Sequence, residues 1–165
     1  MNPANLMHGL DFDGQDVTGW TATEKLNGCR ARWQNGRLWT RTGNPIAAPV
    51  ALTAALPVGM VLDMEVHAGR GGFETARQGV QLGRWRVGIM LTCFDAPEHP
   101  GGWQERIAIA QQAGVECVPG VVVTSKRHLA RMFQQITQDG GESLMLHRPG
   151  SNYAPGRTAD LLKMK

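Results

Sequence analysis

"WTATEKLNGCRARWQNGRLWTRTG", residues 20–43, is the stretch on which the reading of this chain turns. Apolar and polar residues alternate on both sides of Asn35-Gly36, the dipeptide that best tolerates the two left-handed positions of a type I′ turn, so the segment predicts strand, tight turn and strand. Lys25 then falls at a strand end, just ahead of the hairpin. The chain holds four lysines against thirteen arginines, so general positive charge is supplied by arginine. Arginine keeps its proton, whereas a lysine amine is made nucleophilic by burial and neighbouring charge. Lys25 is therefore a candidate for chemistry its arginine neighbours could not perform.

Working outward, "APVALTAAL" (48–56) predicts a short helix before Pro57, and "MVLDMEVHAG" (60–69) alternates as a strand with Asp63 and Glu65 on one face. "RWRVGIMLTCFDA" (84–96) is a second strand, "GGWQERIAIAQQAG" (101–114) a helix closed by Gly114, and "VECVPGVVV" (115–123) a strand. Ser125 caps a helix over "KRHLARMFQQITQDG" (126–140), stopped by Gly140. "ESLMLHR" (142–148) is a strand, "PGSNYAPGRTAD" (149–160) an exposed polar loop, and "LLKMK" (161–165) a short closing strand. Strands and helices mix without regular βαβ alternation, which predicts an α+β class with largely antiparallel sheets flanked by helices.

At 165 residues and 42% hydrophobic content the chain suits one domain, 1–165, with its own core. No apolar run is long enough to span a bilayer, and "MNPANLMHGLDFDGQ" lacks the basic start and apolar stretch of a signal peptide, so no membrane association and a cytoplasmic location are expected. Cys29, Cys93 and Cys117 are far apart and lack metal-ligand spacing, so they read as small buried residues of a reducing compartment. A net charge of +3 and a pI near 9.0 permit a polyanionic partner without requiring one.

Taken in order, "EKLNGCR" (24–30), "TRTGNPI" (40–46), "LDMEV" (62–66), "FDAP" (94–97), "ESLML" (142–146) and "LLKMK" (161–165) form a series. The series resembles the ordered motifs of the covalent nucleotidyltransferases, the superfamily of DNA ligases, RNA ligases and capping enzymes. "GNPI", "HAGRGGFE", "LMLHR" and "GRTADLLKMK" look most like the minimal ATP-dependent DNA ligases of bacteria and phages. The likeness runs over roughly residues 15–165. It implies the ATP-grasp-like nucleotidyltransferase fold and a ligase that uses ATP and Mg²⁺ to seal nicked duplex DNA.

Residue by residue, the resemblance makes Lys25 the nucleophile that carries AMP. Glu24, Arg30, Arg41, Glu65, Phe94, Lys163 and Lys165 would bind nucleotide, with Phe94 against the base, the arginines on ribose and phosphates, and the two lysines on the phosphates. Glu142 and Glu65 would hold the metal. Arg32 reads as a surface or DNA-backbone charge, and the loop with Arg148, Tyr153 and Arg157 as either a contact to the DNA backbone or an ordinary solvated connection. The chain departs from the motifs at Asn27, where the family has Asp, and at Met64 and Ser143, where it has Gly. Complete ligases continue into an oligonucleotide-binding (OB) domain, so an OB-fold domain or protein supplied in trans is the expected partner of a monomeric chain. RNA ligation and a non-catalytic nucleotide- or nucleic-acid-binding remnant stand as alternatives.

Overall fold

The computed structural model describes residues 5–165, so the first four residues of the stretch read for a leader lie outside the described residues. Two five-stranded sheets carry the chain. The first contains β1 (Met7–Asp11), β10 (Gly156–Met164), β9 (Ser143–His147), β2 (Thr21–Lys25) and β8 (Gly120–Val122), in that spatial order. The second contains β5 (Pro45–Ile46), β4 (Arg37–Thr40), β3 (Gly28–Gln34), β6 (Leu62–His67) and β7 (Met90–Asp95). All strand pairs are antiparallel except β1 with β10, so the expected class and sheet character hold.

The opening stretch divides between the sheets: β2 belongs to the first, while β3 and β4 form the hairpin of the second. The turn is as its sequence demands, with Asn35 at φ 52° and Gly36 at φ 71°. Gly28 explains the other Asn-Gly pair. It lies opposite His67 at the start of β3, and a Cβ there would collide with the carbonyl of Val66. The chain crosses from one sheet to the other directly after Lys25 because this residue has no side chain.

Each sheet buries one face under helices. Ala22, Leu144, Leu146 and Leu162 of the first sheet pack with Leu129 of α4 (Lys126–Gln138). Ala31, Met64, Val66, Leu91 and Cys93 of the second pack with Ala76 of α2 (Phe73–Leu82) and with Trp103, Ile107 and Ala110 of α3 (Trp103–Gln112). A single turn, α1 (Val50–Thr53), lies where the short helix was expected. Ser125 caps α4 by accepting a hydrogen bond from the His128 N–H.

Two elements and three boundaries differ from the sequence expectation. α2 and β1 were not anticipated. The strand expected over 115–123 survives only as β8, because Pro119 has no N–H for a ladder. The strand expected over 84–96 starts at Met90, beyond Gly88 at φ 95°. β10 extends back to Gly156, taking in "GRTAD" from the expected loop, because β1 supplies a parallel partner for it. Among the described residues no helix is long and apolar enough to cross a membrane.

Candidate functional site

The faces of the two sheets turned away from α4 and α2 are polar. In the first sheet Thr23, Met145 and Lys163 stand side by side across β2, β9 and β10, and Lys25 stands beside Ser143 one step along. Directly paired residues share a face, so Lys25 and Lys163 project from the same side. In the second sheet Arg30 pairs with Glu65 across β3 and β6, and Arg32 pairs with Asp63.

Lys25 sits at the sheet crossing with its side chain 31% exposed, and its Nζ donates to Glu142 Oε1 at 2.6 Å. Glu65 is close to both. Burial pushes its carboxyl up to about 7; Lys25 and Arg30 pull the other way, and the Glu142 carboxylate adds to the rise. Arg30 lies over the Phe94 ring at 5.2 Å and donates to Asp63 Oδ2 at 2.7 Å and to the Met7 carbonyl at 2.8 Å. Its Nε is buried and has no hydrogen-bond partner among the described residues. The structure thus brings Lys25, Glu142, Glu65, Arg30 and Phe94 into one neighbourhood.

The remaining expected residues fall around this centre. Lys163 and Lys165 share an anionic neighbour, Asp11, at 3.4 Å and 3.8 Å. Arg41 lies exposed in the turn after β4, near His8, whose ring is held below its usual pKa by burial and by Arg30, Arg41 and Arg157. Arg157 is exposed on β10 directly opposite His8. Arg148 pairs with Asp160 at the surface, at 3.2 Å.

Glu24 points to the opposite side of β2 from Lys25. It grips Arg70 through two hydrogen bonds of 3.0 Å and 2.9 Å, beside a cavity of about 200 Å³ lined by Leu26, Asn27, His67, Gly69 and Glu142. Arg70 was missed by the sequence reading, although "HAGRGGFE" had marked its loop. Its neighbours supply the signal: Gly69 and Gly71 both hold positive φ and turn the loop toward β2.

Two expectations are corrected. Arg32, expected at the surface or on the DNA backbone, is 1% exposed and donates from Nε and Nη2 to Asp63 Oδ1 at 3.0 Å and 2.8 Å. A buried guanidinium answers a buried carboxylate here, because neither charge is stable in a low-dielectric interior alone. Tyr153 was placed with the nucleic-acid contacts. It is instead an internal tie: its hydroxyl donates to Asp63 Oδ2 at 2.6 Å and accepts from Met7 N at 2.8 Å, and burial beside Asp63 raises its pKa. Alternation placed Asp63 on the Glu65 face but could not announce that three side chains would converge on it.

No protein-family model matches the chain. A DNA ligase of Haemophilus influenzae is 27% identical over 98% of this chain, which spans 63% of that protein's length. A solved structure of a Lig E DNA ligase, from work on DNA binding with a minimal scaffold, matches with a TM-score of 0.87 at 29% identity, over 98% of this chain and 68% of that one. The Chlorella virus DNA ligase-adenylate matches with a TM-score of 0.78 at 19% identity, over 98% of this chain and 67% of that one. The ATP-dependent DNA ligase of bacteriophage T7, solved with ATP, gives 0.67 at 16% identity, over 98% of this chain and 68% of that one. By fold and sequence together, the chain is similar to DNA ligases, sharing the fold of the solved ligase structures over 98% of its length.

Proposed function

We propose that this chain is the catalytic domain of an ATP-dependent DNA ligase with Lys25 as its nucleophile. The observation that carries the reading is the Lys25 amine at the sheet crossing, 2.6 Å from Glu142 and beside Glu65, with Arg30 over Phe94 on the facing sheet. Lys25 Nζ attacks the α-phosphorus of ATP, the bond to the bridging oxygen breaks, and pyrophosphate leaves with a lysyl-AMP phosphoramide behind it. The ammonium must first lose a proton, and Glu142, which accepts a hydrogen bond from it, is the carboxylate within reach. Phe94 offers the base a flat apolar face and Arg30 a cation for phosphate or ribose oxygens. Arg70 holds Glu24, the residue next to the nucleophile. Lys163 and Lys165, with Arg41, neutralise charge on the departing phosphates.

Glu65 and Glu142 are mutually repelling carboxylates, a donor pair that suits one Mg²⁺ completed by substrate oxygens and water. Bound there, it would offset charge developing on the transferred phosphate. In the later steps a DNA 5′-phosphate oxygen displaces Lys25 from the α-phosphorus, and a 3′-hydroxyl then attacks the activated 5′-phosphorus and releases AMP. Arg148 and Arg157, both exposed, are assigned to the nucleic-acid backbone, so binding weakens as salt rises.

The test is intact mass after incubation with ATP and Mg²⁺, alone and with a ligase OB-fold domain supplied in trans. An AMP adduct is expected on the wild type and none on Lys25→Ala. The lysine is part-exposed at a strand end, so the variant should keep its fold, read by circular dichroism. Wild-type protein that takes up no AMP under either condition would overturn the proposal. Sealing assays on nicked DNA and nicked RNA duplexes at one salt concentration then identify the polymer joined.

A further inference from the structure

Cys93 and Cys117, read from sequence as unrelated buried residues, meet at an isolated parallel bridge between β7 and the segment that leads into β8. Backbone hydrogen bonds close the bridge on both sides: Cys93 N–H donates to the Glu116 carbonyl at 2.8 Å, and Val118 N–H donates to the Cys93 carbonyl at 2.9 Å. This pattern sets the two cysteines opposite each other with side chains on one face. Adjacent strands lie about 4.8 Å apart, within the roughly 4.4–6.8 Å between Cα atoms that a disulfide spans. Both thiols are free; Cys93 is fully buried and Cys117 partly open to solvent. The pairing separates them chemically as well, holding the Cys117 thiol below its usual pKa while the same contact and burial push Cys93 far above it.

The location gives the pair a use. β7 is the edge of the second sheet, and Cys117 lies in the segment that pairs with it just ahead of β8, so a bond here would pin to β7 the stretch of chain that leads into the first sheet. It would do so at the residue before Phe94, whose carbonyl also accepts from the Trp103 indole at 2.7 Å. We propose that Cys93 and Cys117 form a reversible disulfide, a redox-sensitive staple that fixes the segment leading into β8 against β7. The inference does not depend on the reaction proposed above.

With a peroxide as oxidant, the accessible Cys117 thiolate attacks one peroxide oxygen, the O–O bond breaks, and a sulfenic acid and hydroxide result. The Cys93 sulfur then attacks the Cys117 sulfur, the S–O bond breaks, and the departing hydroxyl leaves as water with the Cys93 proton. Two thiols and one peroxide thus become one disulfide and two waters, and a dithiol reductant reverses the change. Cys29 lies on β3, outside the bridge.

The experiment treats the full chain with hydrogen peroxide and maps it by tryptic digestion without reductant. The expected product joins peptides 87–106 and 107–126, leaves one alkylatable thiol out of three, and reverts with dithiothreitol. Cys117→Ser, at a part-exposed position, should abolish the link, and Cys29→Ser should preserve it. Oxidation should raise the unfolding temperature of the wild type and leave that of Cys117→Ser unchanged. Sulfinic acid at Cys117 with Cys93 still alkylatable after unfolding, a bond through Cys29, a disulfide-linked dimer, or three thiols that stay free would each overturn the proposal.

Discussion

Glu65 and His147 pull the stability of this protein in opposite directions as pH changes. Burial pushes Glu65 up to about 7 from an ordinary value of 4.5, so between those values the folded state holds a proton that the unfolded state has released. Stability contributed by Glu65 therefore falls as pH rises through that window. His147, against Trp103 with ring centroids 4.6 Å apart, is pushed down to about 3 from 6.5 by burial and Arg106. There the unfolded state binds the extra proton, and stability falls as pH drops from 6.5 toward 3. Between pH 4.5 and 6.5 the two effects offset one another. Glu65→Gln should unmask the histidine, giving an unfolding free energy that rises through that range by up to roughly 1.4 kcal/mol per pH unit. Urea titrations of wild type and variant at several pH values check this; parallel pH profiles would count against it. Neither perturbation was legible in the sequence, because each depends on what lies across a sheet face.

At the scale of elements, signals confined to adjacent residues specify the structure they form. Asn35-Gly36 specifies its turn through two left-handed backbone positions, and Ser125 specifies the start of α4 through one hydrogen bond to the His128 N–H. Ser125→Ala should cost about 1 kcal/mol, the usual loss for an exposed N-cap, measured as a lower urea midpoint with unchanged slope. Elements whose existence rests on a distant partner were not legible. β1 is a strand because β10 lies parallel to it, with a register shift between Gly9 and Leu10. α2 opens on Gly72 without a side-chain cap, so no residue announces it, and only Gly83 in the left-handed region marks its end. The early part of β10 was read as loop for the same reason: its glycine and polar residues become a strand only when β1 is paired with them.

At the scale of the whole molecule, Trp103 ties the two sheets together. It belongs to the core of the second sheet, donates to the Phe94 carbonyl on β7, stacks on His147 of β9, and crowds Gly120 of β8 so closely that a Cβ there would stand 2.6 Å from the indole. Trp103→Ala should therefore cost about 3–5 kcal/mol, the range for emptying a large aromatic site. It should also raise amide exchange in β7, β8 and β9 together. Faster exchange confined to one sheet would show that the indole serves a single core.

The sequence by itself determined the hairpin, the caps, the mixed class and the order of the motifs around Lys25, because each depends on neighbours in the chain or on residue type alone. Tertiary structure decided which charges stay open to solvent and which are internal. Arg30 and Arg32 are two residues apart on one strand face and both donate to Asp63, yet the Arg32 side chain is 1% exposed and that of Arg30 19%. It likewise brought Lys25 to Glu142 and Cys93 to Cys117. The physical reason is common to all three: the energy of a charge or thiol is set by the burial and partners around it, and those come from strands distant in the chain.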